Sequence, residues 1–459
     1  MKLTDYNKFS TIIKHVPKGW HSLKIKWALS TLESGGRQTG GGEQFSDGVF
    51  SVGGEHITWS GKLDYSNPKY IEEAYYDKMN KGKVYLNDIL LVKDGATIGK
   101  CAFVDVLPFE KVAINEHVYI LRSNYLSSNK YLFYFIQSYE GQEQIKLEIR
   151  GSAQGGLSNG IKNEILLPLP TIEEQTQIVK YLDYKTGLID DFIASRKKQI
   201  ELLREQKTSI INKAVTKGID PDVKMKPSGI EWIGETPEHW EIKKIKHIKA
   251  RIKNAFVDGP FGSNLKSEHF VQEGTVLVIE SGFITSGEFI FSDFKKITKE
   301  HFETIKRSEA IAGDIIIAKI GFNYGMSGIL PELGALSVVS GNSLKLTVND
   351  KENISKYIHY LFLYLKKEGA FELIVNETAQ PALSLTRLNN VSIAIPDREE
   401  QQQILDYLKI ETSKLEDLIT KYQKQIELMQ EYRTAIISQA VTGKIDVREW
   451  QPKAKELQS

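Results

Sequence analysis

The sequence predicts an α+β protein made of two copies of one unit, each a mixed α/β domain followed by a long helix. The first observation is an internal repeat. Residues 170–220 align with residues 396–446 without a gap at an offset of 226, and 25 of the 51 aligned positions are identical. The chain is therefore a pseudo-two-fold internal repeat in which a variable half and a similar half alternate.

The repeat continues more faintly upstream of the similar halves. At the same offset, Lys93 matches Lys319 and Gly99 matches Gly325. Two units that share their similar halves and differ in their variable halves are expected to share a mechanism and to differ in their target.

The similar halves are predicted to be two long helices that pair with each other. Heptad-like positions alternate in steps of four and three from Ile404 to Ile436, and the first copy keeps this register from Ile178 to Ile210. Such spacing is typical of a coiled coil, and polar residues within the stripe specify one partner or register. The alternative is two separate amphipathic helices that each cover a globular core. Gly187 is expected to kink or break the first helix.

The variable halves are predicted to be mixed α/β domains. Apolar runs at 89–92 and 315–318 indicate buried strands. A glycine-punctuated segment follows each run, and amphipathic helices follow at 130–139 and 356–366. The predicted limits are 1–165 and 238–392 for the two mixed domains, 166–220 and 393–450 for the helices, 221–237 for a linker and 451–459 for a tail.

Composition excludes several classes of protein. Cys101 is the single cysteine among 459 residues, which excludes an internal disulfide framework and a cysteine-based zinc site and favours a reducing, cytoplasmic location. The first residues lack the apolar core of a signal peptide, and no apolar run has the ~18–20 residues of a membrane span. A net charge of +1 argues against a uniformly basic nucleic-acid coat.

Enzyme signatures are incomplete in this sequence. Asn67-Pro68-Lys69-Tyr70 lacks the second proline of the methyltransferase loop that holds a flipped base, and a plain turn is the alternative. The glycine-rich stretch 35–42 has no following Gly-Lys-Ser/Thr, so it is no phosphate loop. Glu241-Ile242-Lys243 lacks the spaced acidic partner of a metal-dependent nuclease. The nine histidines show no metal-ligand spacing, and no Gly-x-Ser-x-Gly elbow occurs. The chain is predicted to be non-catalytic, with no metal site.

Local basic and polar segments indicate nucleic-acid binding. Six basic residues and no acid fall within Lys243–Lys253, a composition suited to phosphate contacts, although a solvated surface is the alternative. The glycine-flanked segments 34–44 and 258–266 carry side chains able to recognise base edges. The candidate DNA-binding residues are Ser34, Arg37, Gln38, Thr39, Lys93, Thr97, Lys100, Lys243, Lys244, Lys246, Ser263, Asn264, Lys266, Lys319, Asn323 and Tyr324.

The chain resembles the specificity subunit of type I restriction–modification systems over essentially its whole length. Ala-Gln-x-x-Leu-Ser occurs at 153–158 and 379–384, and Pro-x-x-Glu-Glu-Gln-x-x-Ile occurs at 170–178 and 396–404. Ala-Val-Thr-x-x-Ile-Asp closes each copy. The arrangement of these strings in two copies makes the resemblance specific.

The resemblance implies that each mixed domain is a target recognition domain for one part of a bipartite DNA site. It also implies that the two long conserved helices form an antiparallel coiled coil that separates these domains and scaffolds two methyltransferase subunits, which methylate adenine N6. Restriction/translocase subunits would join them, and S-adenosylmethionine, ATP and Mg²⁺ would bind to the partners and not to this chain. No membrane partner is expected.

Two rival hypotheses belong to other classes. One is a complete DNA methyltransferase or nuclease in a single chain, which would modify or cut DNA without partners. The other is a coiled-coil assembly protein without a DNA role. Near-neutral charge further predicts that the isolated chain binds DNA weakly and that an assembled complex binds it tightly.

Overall fold

The computed structural model describes residues 12–13, 16–38, 45–151, 155–260, 262–285, 287–290, 293–376 and 381–452. The candidate Thr39 lies outside the described residues, as do the repeated Ala-Gln pairs.

The chain divides into two compact units. Unit 1 comprises residues 1–198 and 422–459, and unit 2 comprises residues 199–421. Each unit therefore combines one mixed half with the beginning of one long helix and the end of the other. The domain limits drawn from the sequence divide the chain differently and stay predictions.

Unit 1 is built on two small sheets. Its strands are β1 (His21–Lys24), β2 (Leu29–Ser34), β3 (Val49–Val52), β4 (Tyr70–Ile71), β5 (Ile89–Val92), β6 (Cys101–Phe103), β7 (Val112–Ile114), β8 (Val118–Ser123) and β9 (Leu166–Leu169). Its helices are α1 (Glu73–Lys78), α2 (Asn129–Gln137), α3 (Tyr139–Glu148) and the first part of α4 (Ile172–Lys217). One antiparallel sheet has the order β2-β8-β5-β6, a mixed sheet has the order β4-β3-β7, and β1 pairs with β9.

Unit 2 repeats this plan with larger insertions. Its strands are β10 (Met225–Pro227), β11 (Glu235–Pro237), β12 (Glu241–Lys244), β13 (Phe256–Asp258), β14 (Val276–Ile279), β15 (Lys295–Ile297), β16 (Glu309–Ala310), β17 (Ile315–Ala318), β18 (Ser327–Ile329), β19 (Leu336–Val339), β20 (Ser343–Leu346), β21 (Val375–Asn376), β22 (Ala382–Leu383) and β23 (Ser392–Ile395). Its helices are α5 (Lys299–Ile305), α6 (Ser355–Lys367), α7 (Leu385–Asn389) and the first part of α8 (Arg398–Val441). The sheets have the orders β13-β20-β17-β18 and β15-β14-β19-β16, and β12 pairs with β23.

The predicted fold class is confirmed. The apolar runs are β5 and β17, each fully buried inside a four-stranded sheet. The predicted amphipathic helices are α2 and α6. Helix α2 ends earlier than predicted because the Ser138 hydroxyl accepts the Gly141 N–H and begins α3.

The predicted break at Gly187 does not occur, whereas the predicted kink there stays a prediction. Helix α4 runs without interruption for 46 residues. Leu182 and Ile189 are buried on either side of the glycine, at 0% and 6% exposure. Their burial outweighs the cost of about 1 kcal/mol for a glycine inside a helix.

Contacts within each unit show that the two long helices run antiparallel. In unit 1, Asp190 lies 3.2 Å from Arg433, and the Arg196 guanidinium lies 4.7 Å from the Tyr422 ring centroid. Of these two contacts, the one with the higher residue number on α4 has the lower residue number on α8, as expected for antiparallel helices. In unit 2, Lys207 Nζ lies 2.6 Å from a Glu416 carboxylate oxygen.

The outer parts of the helices also cover the cores of the mixed halves, as the alternative hypothesis expected. Leu182 and Ala440 belong to the core of unit 1, and Val215 and Leu408 belong to the core of unit 2. Pairing and core coverage therefore both occur, at different points along the same helices.

The four–three stripe does not stay buried over its whole length. Tyr432 and Gln206, which belong to the predicted stripe, are exposed, whereas the next residues, Arg433 and Lys207, are partly buried. An ideal helix drifts by ~20° per heptad against a strict seven-residue repeat, so the buried face moves by about one position.

Two repeated polar contacts hold the helix ends to the mixed halves. The Tyr131 hydroxyl donates to the Val441 carbonyl at the end of α8, at 3.2 Å. At the matching positions of unit 2, the Tyr357 hydroxyl donates to the Val215 carbonyl near the end of α4, at 3.0 Å. The C-terminal end of each helix thus packs on the mixed half of the other copy.

The residues predicted as a linker form a packed hairpin within unit 2. Strands β10 and β11 pair, and Ile230 and Ile233 between them are buried at 6% exposure. Among the described residues, no helix combines the length and the apolar character needed to cross a bilayer.

Candidate nucleic-acid interface

Three strand ends meet at one edge of the four-stranded sheet in unit 1. Ser34, at the end of β2, pairs with Tyr119 in β8. Lys93, directly after β5, donates its N–H to the His117 carbonyl at 3.0 Å. We call this place edge 1, the residues 34–38, 93–95 and 115–119.

Edge 1 brings together charges of both signs. Arg37 lies 3.3 Å from Glu116, and His117 Nδ1 lies 2.5 Å from Asp94. The Arg37 side chain is 82% exposed despite this pair, so its guanidinium is accessible to an incoming anion.

Lys93 and Tyr119 of edge 1 contact each other. Lys93 Nζ lies 5.2 Å from the Tyr119 ring centroid. Burial, and secondarily the Asp94 charge, raise the pKa of Tyr119, whose hydroxyl donates to the Leu157 carbonyl at 3.0 Å. Tyr119 therefore stays a neutral support beneath Lys93 at physiological pH.

The side-chain amide of Gln38 is hydrogen-bonded to Glu72, the residue before α1. Its amide nitrogen donates to the Glu72 carboxylate at 2.6 Å, and its amide oxygen accepts the Glu72 N–H at 3.0 Å. These bonds hold the segment 34–38 against α1, so Gln38 positions the segment in the free protein.

Glycines fix the paths of the two segments predicted to recognise bases. A Cβ atom on Gly35 would lie 1.9 Å from the Ile114 carbonyl oxygen, and one on Gly259 would lie 1.8 Å from the Ser340 carbonyl oxygen. Both distances are far below a van der Waals contact. Only glycine fits at these two points, one directly after β2 and the other directly after β13, and the two carbonyls that they approach are 226 residues apart.

The matching edge in unit 2 is built in the same way. Lys319, directly after β17, donates its N–H to the Asn342 carbonyl at 2.8 Å. Asp258, at the end of β13, accepts from Arg307 at 2.7 Å and from Lys319 Nζ at 3.1 Å. We call this place edge 2, the residues 258–259, 307, 319–325 and 340–342.

The repeated Leu-Ser string supports the glycine-punctuated loop at each edge. Leu157 donates its N–H to the Lys93 carbonyl at 2.7 Å, and Leu383 donates its N–H to the Lys319 carbonyl at 2.9 Å. This backbone contact is the same in both units, which explains why the string is repeated although its target differs.

The loop at edge 2 also positions Tyr324. Its hydroxyl donates to Glu372 at 3.1 Å, and Lys366 Nζ lies 3.8 Å from its ring centroid. Partial burial, followed by the hydrogen bond to Glu372, raises the pKa of Tyr324. The neighbouring Asn323 is partly buried within the same loop.

Thr97 and Lys100 lie farther along the loop of unit 1. Thr97 Oγ1 packs beside Gly54, and Lys100 Nζ lies 6.0 Å from the centroid of the Trp59 ring. Trp59, with Lys62 and Arg433, lines a cavity of about 720 Å³ in unit 1.

The basic segment Lys243–Lys253 begins outside the four-stranded sheet of edge 2, and Lys249 then bridges to Val348, just after β20 of that sheet. Lys243 and Lys244 lie on β12, which pairs only with β23 in its own two-stranded sheet of the described chain. Lys243 pairs with Glu241 at 2.7 Å, and Lys246 donates to Asn390 at 3.4 Å. Part of the positive charge of the segment is thus balanced locally.

The segment that holds Ser263, Asn264 and Lys266 is exposed and is fixed by two stacked histidines. His269 Nδ1 accepts the Lys266 N–H at 3.0 Å, and His301 Nε2 donates to the Asn264 carbonyl at 2.9 Å. The two ring centroids are 3.9 Å apart. Backbone contacts therefore fix the segment and leave its polar side chains outward.

Sequence reasoning missed several residues of both edges. Arg307 lies in a helical segment without any motif, and its link to Asp258 spans 49 positions. Asp94, Glu116 and His117 adjoin predicted candidates, but only the folded sheet brings them together. Within the described ranges, no group of three or more histidine, cysteine or acidic side chains is arranged to hold a metal ion.

Comparison with known proteins adds independent information. The family model "Type I restriction modification DNA specificity domain" matches residues 48–202 and 237–428. The chain is 27% identical over 399 residues to the type I restriction enzyme MjaVIII specificity subunit of Methanocaldococcus jannaschii, covering 84% of this chain and 87% of that protein. It is 24% identical over 469 residues to the MjaIX specificity subunit of the same organism, covering 96% of both.

A solved structure shares the fold. A chain from a study of complex assembly and conformational transition of the type I R-M system matches with a TM-score of 0.66 at 16% identity. The match covers 94% of this chain and all of that one.

Proposed function

The chain belongs to the type I restriction modification DNA specificity family, and from this premise we propose that it recognises a bipartite DNA sequence, with one mixed domain for each part. The observation that carries the proposal is the duplicated edge. Each edge has three parts. A lysine directly follows a buried strand, the loop after it is held by the Leu-Ser string, and both lie beside a segment that starts at a tightly packed glycine. One scaffold repeated with different side chains suits two half-sites of different sequence.

The proposed chemistry at the edges is recognition without catalysis. Exposed Arg37 and the cations on Asp258 offer N–H donors to phosphates and to guanine edges. Asn, Ser and Lys at 263–266 add donors and acceptors for base edges. Methylation of adenine N6 is assigned to two methyltransferase subunits that bind this chain, and DNA cleavage is assigned to restriction/translocase subunits.

The same proposal places S-adenosylmethionine, ATP and Mg²⁺ on the partner subunits. Near-neutral net charge supports a dependence on partner subunits for DNA affinity, because each edge carries charges of both signs and supplies few unpaired phosphate contacts by itself. The complete complex is expected to bind DNA much more tightly than this chain alone.

The test is to co-express the chain with its cognate methyltransferase and to map N6-methyladenine across the genome of the host. Two short motifs separated by a fixed gap are expected. A contiguous methylated motif would contradict the bipartite proposal. Methylation or cleavage of DNA by the purified chain alone would establish an enzyme. If neither the chain nor the complex binds duplex DNA more strongly than a neutral control protein does, an assembly protein would be favoured.

A further inference from the structure

Phe322 is more exposed than any other large apolar side chain in the described part of the chain. Its exposed fraction is 98%. It lies at the centre of the loop 319–325, which connects β17 to β18 at edge 2. Exposing a whole phenyl ring to water forgoes favourable burial, so a contact that covers the ring would be favourable.

The loop that carries Phe322 is closed by its own backbone. Gly325 donates its N–H to the Ala318 carbonyl at 2.8 Å, and Tyr324 donates its N–H to the Gly321 carbonyl at 3.0 Å. Gly321 and Gly325 have φ values of 90° and 82°, a conformation that suits glycine. These bonds constrain the backbone that carries the ring, which lowers the backbone entropy lost on binding.

Cations flank the loop at its base. Lys319 is the first residue of the loop, and Lys366 lies over the ring of Tyr324, which is near the end of the loop. Each lysine side chain is 20% exposed, set back relative to the fully exposed Phe322. Lys319 pairs with Asp258 at 3.1 Å, and Lys366 pairs with Glu372 at 2.8 Å. The apolar tip therefore projects from a base of paired charges, and its complement on DNA is the apolar part of a groove, where thymine methyl groups and base faces lie.

We propose that Phe322 makes an apolar contact with a base of the half-site bound by unit 2, and is thus a specificity-determining residue of this domain. This inference rests on the proposed DNA-recognition function. Phenylalanine offers no hydrogen bond to phosphate, so its partner on DNA is a thymine methyl group or the face of an unstacked base. At the matching position, 226 residues earlier, unit 1 carries Ala96, so the ring contributes to one half-site only.

The test compares Phe322→Ala with wild type in the assembled complex with its methyltransferase. The readouts are affinity for a duplex that contains the mapped site, affinity for an unrelated duplex, and salt dependence. We expect about tenfold weaker specific binding, because loss of an aromatic contact with a base costs ~1–3 kcal/mol. Non-specific affinity and the salt slope stay unchanged, since no phosphate contact is removed.

Leu336→Ala is the matched control. Leu336 is 42% exposed and begins β19, whose other end leads to residues 340–342 of edge 2. Both variants are expected to fold and to assemble as wild type does, and Leu336→Ala is expected to bind the site with unchanged affinity. Deoxyuridine in place of thymidine separates the two forms of contact: weaker wild-type binding assigns the thymine methyl, and unchanged binding assigns a base face.

Unchanged specific affinity of Phe322→Ala, in a complex whose wild type binds the site, would overturn the inference and leave the proposed function intact. Failure of Phe322→Ala to assemble with the methyltransferase would also overturn it, because the ring would then contact protein. Failure of the wild-type complex to prefer any sequence would instead count against the proposed function.

Discussion

At the scale of single residues, buried polar side chains connect segments that are far apart in the sequence. Gln175 and Gln401 occupy matching positions, and the amide oxygen of each accepts a backbone N–H from 47 residues earlier, of Ser128 and of Ile354, at 2.9 Å in both units. Tyr131 and Tyr357 hold the opposite helix ends. These contacts explain why the glutamine and tyrosine are repeated, which the spacing of the sequence alone did not show.

His359 makes the stability of unit 2 depend on pH. It is buried in α6, its Nδ1 lies 2.9 Å from the Ser327 hydroxyl, and burial lowers its pKa to about 4 from the ordinary value of 6.5. The unfolded chain therefore binds one more proton than the folded chain between these values. Stability is expected to fall by about 2 kcal/mol as the pH drops from 7 to 5, with most of the remaining loss above pH 4.

The check is urea unfolding of wild type and His359→Gln at pH 7 and pH 5. Glutamine does not titrate, so the variant should lose about 2 kcal/mol less than wild type over this interval, whatever its stability at pH 7. His247→Gln, at an exposed position, should keep the wild-type pH dependence. Equal losses in wild type and His359→Gln would refute the assignment.

At the scale of elements, the long helices combine a pattern visible in the sequence with a packing that the pattern does not reveal. The four–three spacing predicted their existence and their pairing, because apolar periodicity is a local property. It failed at Gln206 and Tyr432, where the buried face had moved by one position. A break was expected from the glycine at 187, and the burial of Leu182 and Ile189 overrides that weak local preference.

Arg433 is expected to be the strongest polar link between the two helices in unit 1. It is 12% exposed, lies 3.2 Å from Asp190 and donates to the Ser60 carbonyl at 2.9 Å. Arg433→Met should destabilise the protein by about 3 kcal/mol, because it leaves Asp190 and a carbonyl partly buried with fewer partners. Urea unfolding measures the loss.

Lys207→Met provides the comparison in unit 2. The Lys207–Glu416 pair is shorter, at 2.6 Å, but Glu416 is 55% exposed. Solvent screening limits such a pair to about 0.5 kcal/mol. A double-mutant cycle with Asp190→Asn would isolate the coupling of Arg433, and a coupling as small as that of Lys207 with Glu416 would show that burial does not strengthen this contact.

At the scale of the whole molecule, the proposed function uses the duplication to address two targets with one scaffold. The net charge of +1 first suggested little affinity for a polyanion. The edges qualify that inference, because accessible cations such as Arg37 are held beside acidic partners that an incoming phosphate can replace. Charge is therefore local and paired, and total charge is a poor guide to binding.

Lys93→Ala and Lys319→Ala should affect different parts of the DNA site. Both lysines follow a buried strand at matching positions, one in each unit. Mapping of N6-methyladenine with each variant should show relaxed or reduced recognition, by ~3–10-fold, confined to one half of the motif. Each variant serves as the control for the other, and loss of the same bases in both would contradict a separate half-site for each unit.

The sequence by itself determined the duplication, the long helices, the buried strands and the family resemblance, because periodicity and repeated strings are readable along the chain. Only the tertiary structure decided which pieces form a unit, since residue 215 packs on residue 357 and residue 441 on residue 131. It also decided that Arg307, Asp258 and Lys319 share one edge and that Phe322 stands exposed above it. These are contacts between distant positions, and burial and charge pairing, which local patterns do not encode, select them.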